Sequence, residues 1–301
     1  MTREIPVIYN PVAGRGRLLR RRPRLEARAA ALGVRLRWLG TTAPGHATEL
    51  ARECAGRGDP LVLAFGGDGT YNEVARGLLG SPTSLGTLPG GTSSVLAWEF
   101  GVPRPAERAL EPLLAGEDRP MTVGWTDRDQ LFLMMLSTGP DAVVLDRLSP
   151  RMKLKGGKLG IALQALAEFA RGRLPRITVD AGEWRETGGW VIVGNIRCYG
   201  GPFRATPGAD PFAGFLEVVV QRSVGRRAAV PFFFAISVGR HLGRRDVVRR
   251  TVRRVRLHPA PGQEPVPYQL DGDPAGHLPV EVWIHPERLR VRLPRAANGG
   301  D

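Results

Sequence analysis

A short apolar run, Leu61-Val-Leu-Ala-Phe65, leads without a break into Gly66-Gly67-Asp68-Gly69-Thr70, and helical sequence begins near Tyr71. No other stretch narrows the possible folds as much. The apolar run reads as a buried strand that ends in a glycine-rich turn and then enters a helix. The three glycines have no Cβ, so backbone amides there can approach a ligand closely. Amides exposed between a strand end and a helix N-terminus favour phosphate. Asp68 repels phosphate unless a metal or an acidic hydroxyl lies beside it. Glycines for phosphate with one carboxylate for Mg²⁺ or a proton suit phosphoryl transfer. Gly-Asp-Gly also serves purely local turn geometry, so the rest of the chain must separate the two readings.

The unit recurs through the first third. Strands at Ile5–Tyr9, Val34–Leu39, Leu61–Phe65 and Ser84–Thr87 alternate with helices at Leu25–Leu32, Ala47–Cys54, Tyr71–Leu79, Ser93–Phe100 and Pro105–Ala115. Such βαβα order predicts a parallel sheet covered on both faces, a three-layer α/β domain. Loops at the carboxyl ends of parallel strands share one edge of the sheet. Four loops qualify: Asn10-Pro11-Val-Ala-Gly14, the segment from Thr41 to Pro44-Gly45, Gly66 to Thr70, and Leu88-Pro-Gly-Gly91-Thr92-Ser-Ser. Thr41 reads equally as a helix cap, but four such loops on one edge are far less expected by chance than one.

After about residue 120 the pattern changes to short strands: Met121–Trp125, Leu131–Leu136, Ile177–Val179, Trp190–Asn195, Leu216–Gln221, Thr251–Leu257, Val280–Ile284 and Leu289–Leu293, with one helix near Leu159–Arg171. This predicts a β-sandwich. The expected organisation is an α/β domain over 1–124, a β-sandwich domain over 125–295 and a loose tail over 296–301. Gln269-Leu-Asp271-Gly272-Asp273 reads either as an Asp-Gly hairpin turn or as the source of a base that takes a proton from a hydroxyl.

Bulk properties exclude several classes. The 301 residues suffice for two domains, and 42% hydrophobic content argues against disorder. No apolar run reaches 18 residues; Ala228–Val238 is too short to span a bilayer and is broken by Pro231. The N-terminus lacks a signal-peptide layout, and Cys54 and Cys198 form neither a disulfide framework nor a zinc pattern, so a reducing cytoplasm is the expected compartment. The net charge is +14, with six arginines in Arg15–Arg24 and seven in Arg244–Arg256. Such charge draws anionic partners. No aromatics interleave the arginines as single-stranded nucleic acid would want, so nucleic acid is not expected. There is no Walker P-loop, no complete dinucleotide fingerprint, no GxSxG, no HExxH and no histidine cluster.

Taken together, these residues resemble the diacylglycerol kinase catalytic-domain family, which includes bacterial lipid kinases, sphingosine kinases and ceramide kinases. The likeness runs in order through Asn10-Pro11 to Gly14, Thr41 to Gly45 with Ala47, Gly66 to Glu73, and Gly86 to Thr92. It continues through Gly139, Asp141-Ala142, Lys155, Gly157, Lys158, Asn195, Tyr199-Gly200-Gly201 and Asp271-Gly272-Asp273. The resemblance implies ATP and Mg²⁺ as cofactors and a lipid hydroxyl as acceptor, met at a membrane surface by a peripheral protein. It implies ATP contacts from Asn10, Pro11, Gly14, Thr41, Gly66, Gly67, Asp68, Gly69, Thr70, Asn72, Glu73, Gly91 and Thr92. Asp273 is the implied base, with Asp68 as nucleotide or metal residue or alternative base. In this family the fourth loop usually continues Gly-Thr-x-Asn-Asp, where this chain has Ser94 and Val95. The family's usual metal-holding Asp is Ala213, leaving Asp210 as the candidate metal residue, and Asp273 replaces the usual Glu. Two other readings stand beside it: an NAD kinase-like enzyme, which shares a GGDGT-like loop, and a non-catalytic nucleotide- or membrane-binding homologue.

Overall fold

The computed structural model describes residues 3–13, 17–91, 94–147, 175–224, 226–263 and 265–295. The chain divides into two compact units, one of Met1–Val123 with Pro286–Asp301, the other of Gly124–His285.

The first unit is built on β1 (Arg3–Tyr9), β2 (Val34–Gly40), β3 (Leu61–Gly66), β4 (Ser84–Pro89) and β5 (Glu117–Met121), joined by the last strand of the chain, β20 (Leu289–Leu293). The sheet order is β2-β1-β3-β4-β20-β5. The first four strands are parallel, and β5 pairs antiparallel with β20. Every residue of β3 and β4 is buried, as expected of strands covered on both faces. Helices α1 (Arg17–Ala31) and α5 (Ala106–Leu114) pack against each other, as do α2 (His46–Gly56) and α3 (Asp68–Leu78); α4 (Val95–Glu99) is a short helix after β4. Ile5, Val7, Leu61, Leu63, Phe65, Leu25 and Leu110 belong to one core.

One assignment is corrected here. The stretch expected at the end of the second domain, up to residue 295, belongs from Pro286 onward to the first unit. Leu289 and Val291 are buried in register with β4 and β5, and the Arg292 guanidinium donates to Asp118 Oδ2 at 3.0 Å across that pairing. A strand of alternating Leu, Arg and Val fits either sheet by pattern alone; the pairing partners decide.

The second unit is a sandwich of two antiparallel sheets. In chain order the strands are β6 (Gly124–Thr126), β7 (Leu131–Phe132), β8 (Met135–Thr138), β9 (Ile177–Ala181), β10 (Trp184–Gly188), β11 (Trp190–Gly194), β12 (Cys198–Tyr199), β13 (Phe203–Arg204), β14 (Leu216–Gln221), β15 (Val247–Val252), β16 (Arg254–Pro259), β17 (Pro267–Leu270), β18 (Asp273–His277) and β19 (Val280–Ile284). One sheet runs β10-β9-β16-β19-β6-β7 and the other β15-β14-β11-β8-β17-β18. Phe132, Val179, Val193, Val218, Leu257, Tyr268 and Val282, drawn from both, fill one core. Strands β12 and β13 pair only with each other, and among the described residues two further helices appear, α6 (Pro140–Arg147) and α7 (Arg226–Ser237).

Three expected strands are each two. Met121–Trp125 leaves one unit and enters the other; Leu131–Leu136 becomes β7 and β8; Thr251–Leu257 becomes the end of β15 and most of β16. In the last two cases the halves lie in opposite sheets. The expected helix near Leu159–Arg171 lies outside the described residues. No helix among those described is long and apolar enough to cross a membrane.

Candidate functional site

The parallel strands bring four loops to one edge, and a cavity of about 500 Å³ opens there. Its lining includes Asn10 and Pro11 after β1, Thr41 and Thr42 after β2, Gly67, Gly69, Thr70 and Glu73 at the start of α3, and Gly91 after β4. A crevice outside the carboxyl ends of a parallel sheet, beside the point where strand order reverses between β1 and β3, is the general ligand position of such folds. Gly14 and Thr92 lie outside the described residues. Gly66 is buried behind the cavity, and Asn72 and Asp68 are not in its lining.

The glycines do two different jobs. The Gly66 carbonyl accepts hydrogen bonds from the amides of Gly90 and Gly91, at 2.9 and 2.8 Å. This draws the third and fourth loops together so closely that a Cβ on Gly91 would lie 2.5 Å from the Gly67 Cα; within the third loop, a Cβ on Gly66 would lie 2.5 Å from the Thr70 hydroxyl. These two glycines are required by packing. Gly69 is not: a Cβ there would meet nothing within 4 Å. It sits in the first turn of α3, exposed and facing the cavity. A helical glycine that the fold does not need costs up to about 1 kcal/mol relative to alanine. The N-cap residue of α3 is Gly67, which has no side chain to offer the first-turn amides, and such amides favour an anion.

Asp68 is turned the other way. Its Oδ1 accepts the Leu96 amide at 3.2 Å, and the Val95 amide also contributes, so the carboxylate caps α4. Burial pushes its pKa up, and those amides and the Arg104 guanidinium only partly offset this. Ser94, which precedes α4, is buried with a left-handed backbone (φ 49°). Asparagine tolerates that conformation better than serine.

The remaining lining residues are held by local bonds. Asn10 Oδ1 accepts the Val12 amide at 3.0 Å, and the Thr41 amide donates to the Tyr9 carbonyl at 2.9 Å. Glu73 Oε2 accepts the Ala47 amide at 3.2 Å, so this residue secures the N-terminus of α2 against α3 while facing the cavity. His46 is not itself in the cavity lining but receives the Thr42 amide on Nδ1 at 3.1 Å and lies 2.9 Å from the Thr42 hydroxyl. A Thr four residues before a His at a helix start is the signal that would have flagged it.

In the second unit, Asp271 and Gly272 form the two-residue turn between β17 and β18, with φ of 52° and 92°. Two positive φ values in sequence mark the tight hairpin that Asp-Gly favours. Asp271 also accepts three amides, from Leu133 at 2.7 Å and from Met134 and Met135 at 2.9 Å. Asn195 Nδ2 donates to the Leu133 carbonyl at 2.8 Å. Both side chains hold the point where the chain crosses from β7 in one sheet to β8 in the other. Asp273 opens β18 with an exposed side chain. Asp210 is exposed, its Oδ1 accepting the Phe212 amide in a local turn. Among the described residues no group of three or more carboxylate, imidazole or thiol side chains could hold a metal.

Asp141 in α6 is partly buried, with its Oδ1 out of reach of solvent, and Tyr199 donates its hydroxyl to Oδ2 at 2.8 Å. Burial pushes its carboxyl up, against hydrogen bonds from Ser137, Tyr199, the Ala142 amide and Gln269 that favour the ionised form. Its stabilising contribution is therefore complete below the unfolded value, about pH 4, and is lost as pH rises through the raised folded value. Asp141→Asn is expected to lack that loss. The melting temperature of the variant should rise relative to that of the parent from pH 4 towards neutrality, and a constant difference would contradict this.

Comparison with known proteins gives the same picture. The profile of the diacylglycerol kinase catalytic domain matches residues 4–126, and that of the YegS C-terminal NAD kinase beta sandwich-like domain matches residues 134–293. A diacylglycerol kinase of Mycobacterium tuberculosis is 28% identical, with 97% of this chain and 96% of that protein covered. A diacylglycerol kinase of Bacillus subtilis is 24% identical, with 96% of each covered. A probable lipid kinase YegS-like of Citrobacter koseri is 25% identical over 87% of each. The crystal structure of a putative diacylglycerol kinase from Bacillus anthracis shares the fold, with a TM-score of 0.79, 24% identity and 98% of both chains covered. With both profiles matched in order along the chain, this protein belongs to the diacylglycerol kinase and YegS-like family of lipid kinases.

Proposed function

We propose that the protein is an ATP-dependent, Mg²⁺-requiring kinase that phosphorylates the hydroxyl of a membrane lipid such as diacylglycerol. The observation that carries this reading is the cavity at the carboxyl edge of the sheet, onto which the α3 N-terminus and the unobstructed Gly69 open. A volume of about 500 Å³ suits a small-molecule ligand. Mg²⁺-ATP would supply the phosphoryl group and much of the charge neutralisation. The chain's part is to bind and orient. Backbone amides at Gly67, Gly69 and Thr70 receive phosphate oxygens, Gly91 lies beside Gly67 on the same side, and Asn10, Pro11 and Thr41 line the rest. Mg²⁺ needs only one or two carboxylates when phosphate oxygens complete its shell, so the absence of an acidic cage among the described residues is compatible with it. Asp68, whose Oδ1 accepts the Leu96 amide, is the residue we assign to the nucleotide's metal, a role that requires its carboxylate to leave that amide and turn towards the cavity, where Glu73 already lines the wall. Asp273 is the residue we assign to accept the proton of the acceptor hydroxyl. The lipid substrate and the +14 charge together favour a cytoplasmic protein held peripherally at an anionic membrane surface.

Gly69→Ala tests the nucleotide half. It is expected to raise the stability of the unliganded protein by up to about 1 kcal/mol while shrinking the thermal shift produced by Mg²⁺-ATP. An unchanged shift would remove Gly69 from the site. The description of the second matched profile as NAD kinase-like keeps NAD as the rival acceptor. Labelled ATP offered with NAD and with mixed lipids in parallel decides between them: label in the lipid fraction supports the proposal, and label in NADP overturns it.

A further inference from the structure

Helix α7 is apolar on two sides. Ala229, Phe232 and Ile236 form its buried side, with the Phe232 ring edge-on to Trp190 at 5.3 Å and to the buried His241 at 6.0 Å. At the same helical spacing, Val230, Phe233, Phe234 and the following Val238 form a second stripe that faces solvent. Phe233 is 50% and Phe234 66% exposed. The adjoining β13 adds Phe203, also exposed. A helix apolar all round ordinarily lies inside a protein or against lipid, and contiguous exposed apolar side chains mark an interaction surface.

The charge around this stripe says what covers it. From Val218 to Arg245 the sequence holds six arginines and no Asp or Glu. Some of these are internally paired, Arg222 with Glu186 and Arg244 with Asp246. Arg240 and Arg245 are exposed and form no ion pair among the described residues, and Arg204 on β13 is exposed as well. An exposed aromatic stripe with exposed Arg240, Arg245 and Arg204 close by in the sequence or on the adjoining strand matches an anionic bilayer surface: rings enter the acyl boundary and guanidinium groups meet the headgroups. A helix of 12 residues is too short to span, so it lies in the plane of the interface.

We infer that α7 is the membrane-docking element of this protein, seating Val230, Phe233, Phe234 and Val238 in the surface of an anionic bilayer. The inference deepens the proposed lipid-surface contact and rests on it, and its test is independent of kinase activity. The full-length protein is mixed with vesicles of phosphatidylcholine alone or with phosphatidylglycerol, and the bound fraction is read by sedimentation. The parent is expected to bind the anionic vesicles. Phe233→Ser/Phe234→Ser should bind at least tenfold more weakly, with an unchanged melting temperature because both rings are exposed. Phe233→Leu/Phe234→Leu should retain binding. Arg240→Glu/Arg245→Glu, which leaves α7 intact, should lose the preference for anionic vesicles. If the serine variant binds as the parent does, the membrane contact stands but lies elsewhere, and the inference fails. If the parent binds no vesicle, the peripheral-membrane reading itself fails and the inference with it. If sedimentation velocity shows a dimer that the serine substitutions dissolve, a second copy covers the stripe and the inference is overturned.

Discussion

Asp271→Ala is expected to destabilise the protein by about 3 kcal/mol or more, because the amides of Leu133, Met134 and Met135 lose their acceptor together. In a unit of this size that is a fall of roughly 6–12 °C in melting temperature. Asp271→Asn keeps one acceptor oxygen and should lose about half as much. Thermal and denaturant unfolding of the three proteins checks this. A change within about 0.5 kcal/mol would mean that the crossing between the two sheets does not depend on this carboxylate. The expected effect is one of folding: a loss of activity in Asp271→Ala should track its unfolded fraction.

Two residues further on, the opposite outcome is expected. Asp273→Asn should lower the melting temperature far less than Asp271→Ala does, since the side chain is exposed, and should reduce lipid phosphorylation by roughly 10²–10⁴-fold, the usual contribution of a positioned general base. Asp273→Glu should keep activity, because it retains the carboxylate and only lengthens the reach. Asp68→Asn is the companion variant. It is expected to lower activity and also to loosen α4, whose Leu96 amide it caps. If Asp68→Asn and Asp273→Asn both phosphorylate lipid at the parental rate, the assignment of the chemistry to these carboxylates is wrong. The hairpin reading of the Asp-Gly-Asp motif uses Asp271 and Gly272, which leaves Asp273, the first residue of the next strand, as the residue for the proposed proton acceptor.

The first unit was largely legible in the sequence because its signals are local. Each strand runs into its own loop and helix, and βαβ order dictates which strand ends share an edge. That is why Asn10, Thr41, Gly67 and Gly91, spread over some eighty residues, line one cavity. The second unit was legible in class but not in detail. Leu131–Leu136 and Thr251–Leu257 alternate as one strand would, but a chain that passes from one sheet of a sandwich to the other keeps its alternation through the corner. The corner at Leu133–Met134 is specified by Asp271 and Asn195, which lie far away in sequence. The return of β20 to the first unit is equally non-local, resting on pairing with β4 and β5. Helix α7 was hidden by its apolar run and Pro231, which argued against a span without arguing for a surface helix. Within the site, sequence treated all the glycines of the motif alike. Only the packing separates Gly66 and Gly91, which the fold requires, from Gly69, which it does not.

Transfer of phosphate from ATP to a lipid is the reaction proposed for this fold. It is tested most directly by incubating the purified protein with Mg²⁺-ATP and a panel of lipid alcohols in mixed micelles, with NAD in a parallel reaction, and identifying products by mass spectrometry. The account predicts a phosphorylated lipid formed by the parent and by Asp273→Glu, not by Asp273→Asn, and no NADP. Phosphorylated NAD, or bound ATP with no phosphorylated lipid across the panel, would contradict it.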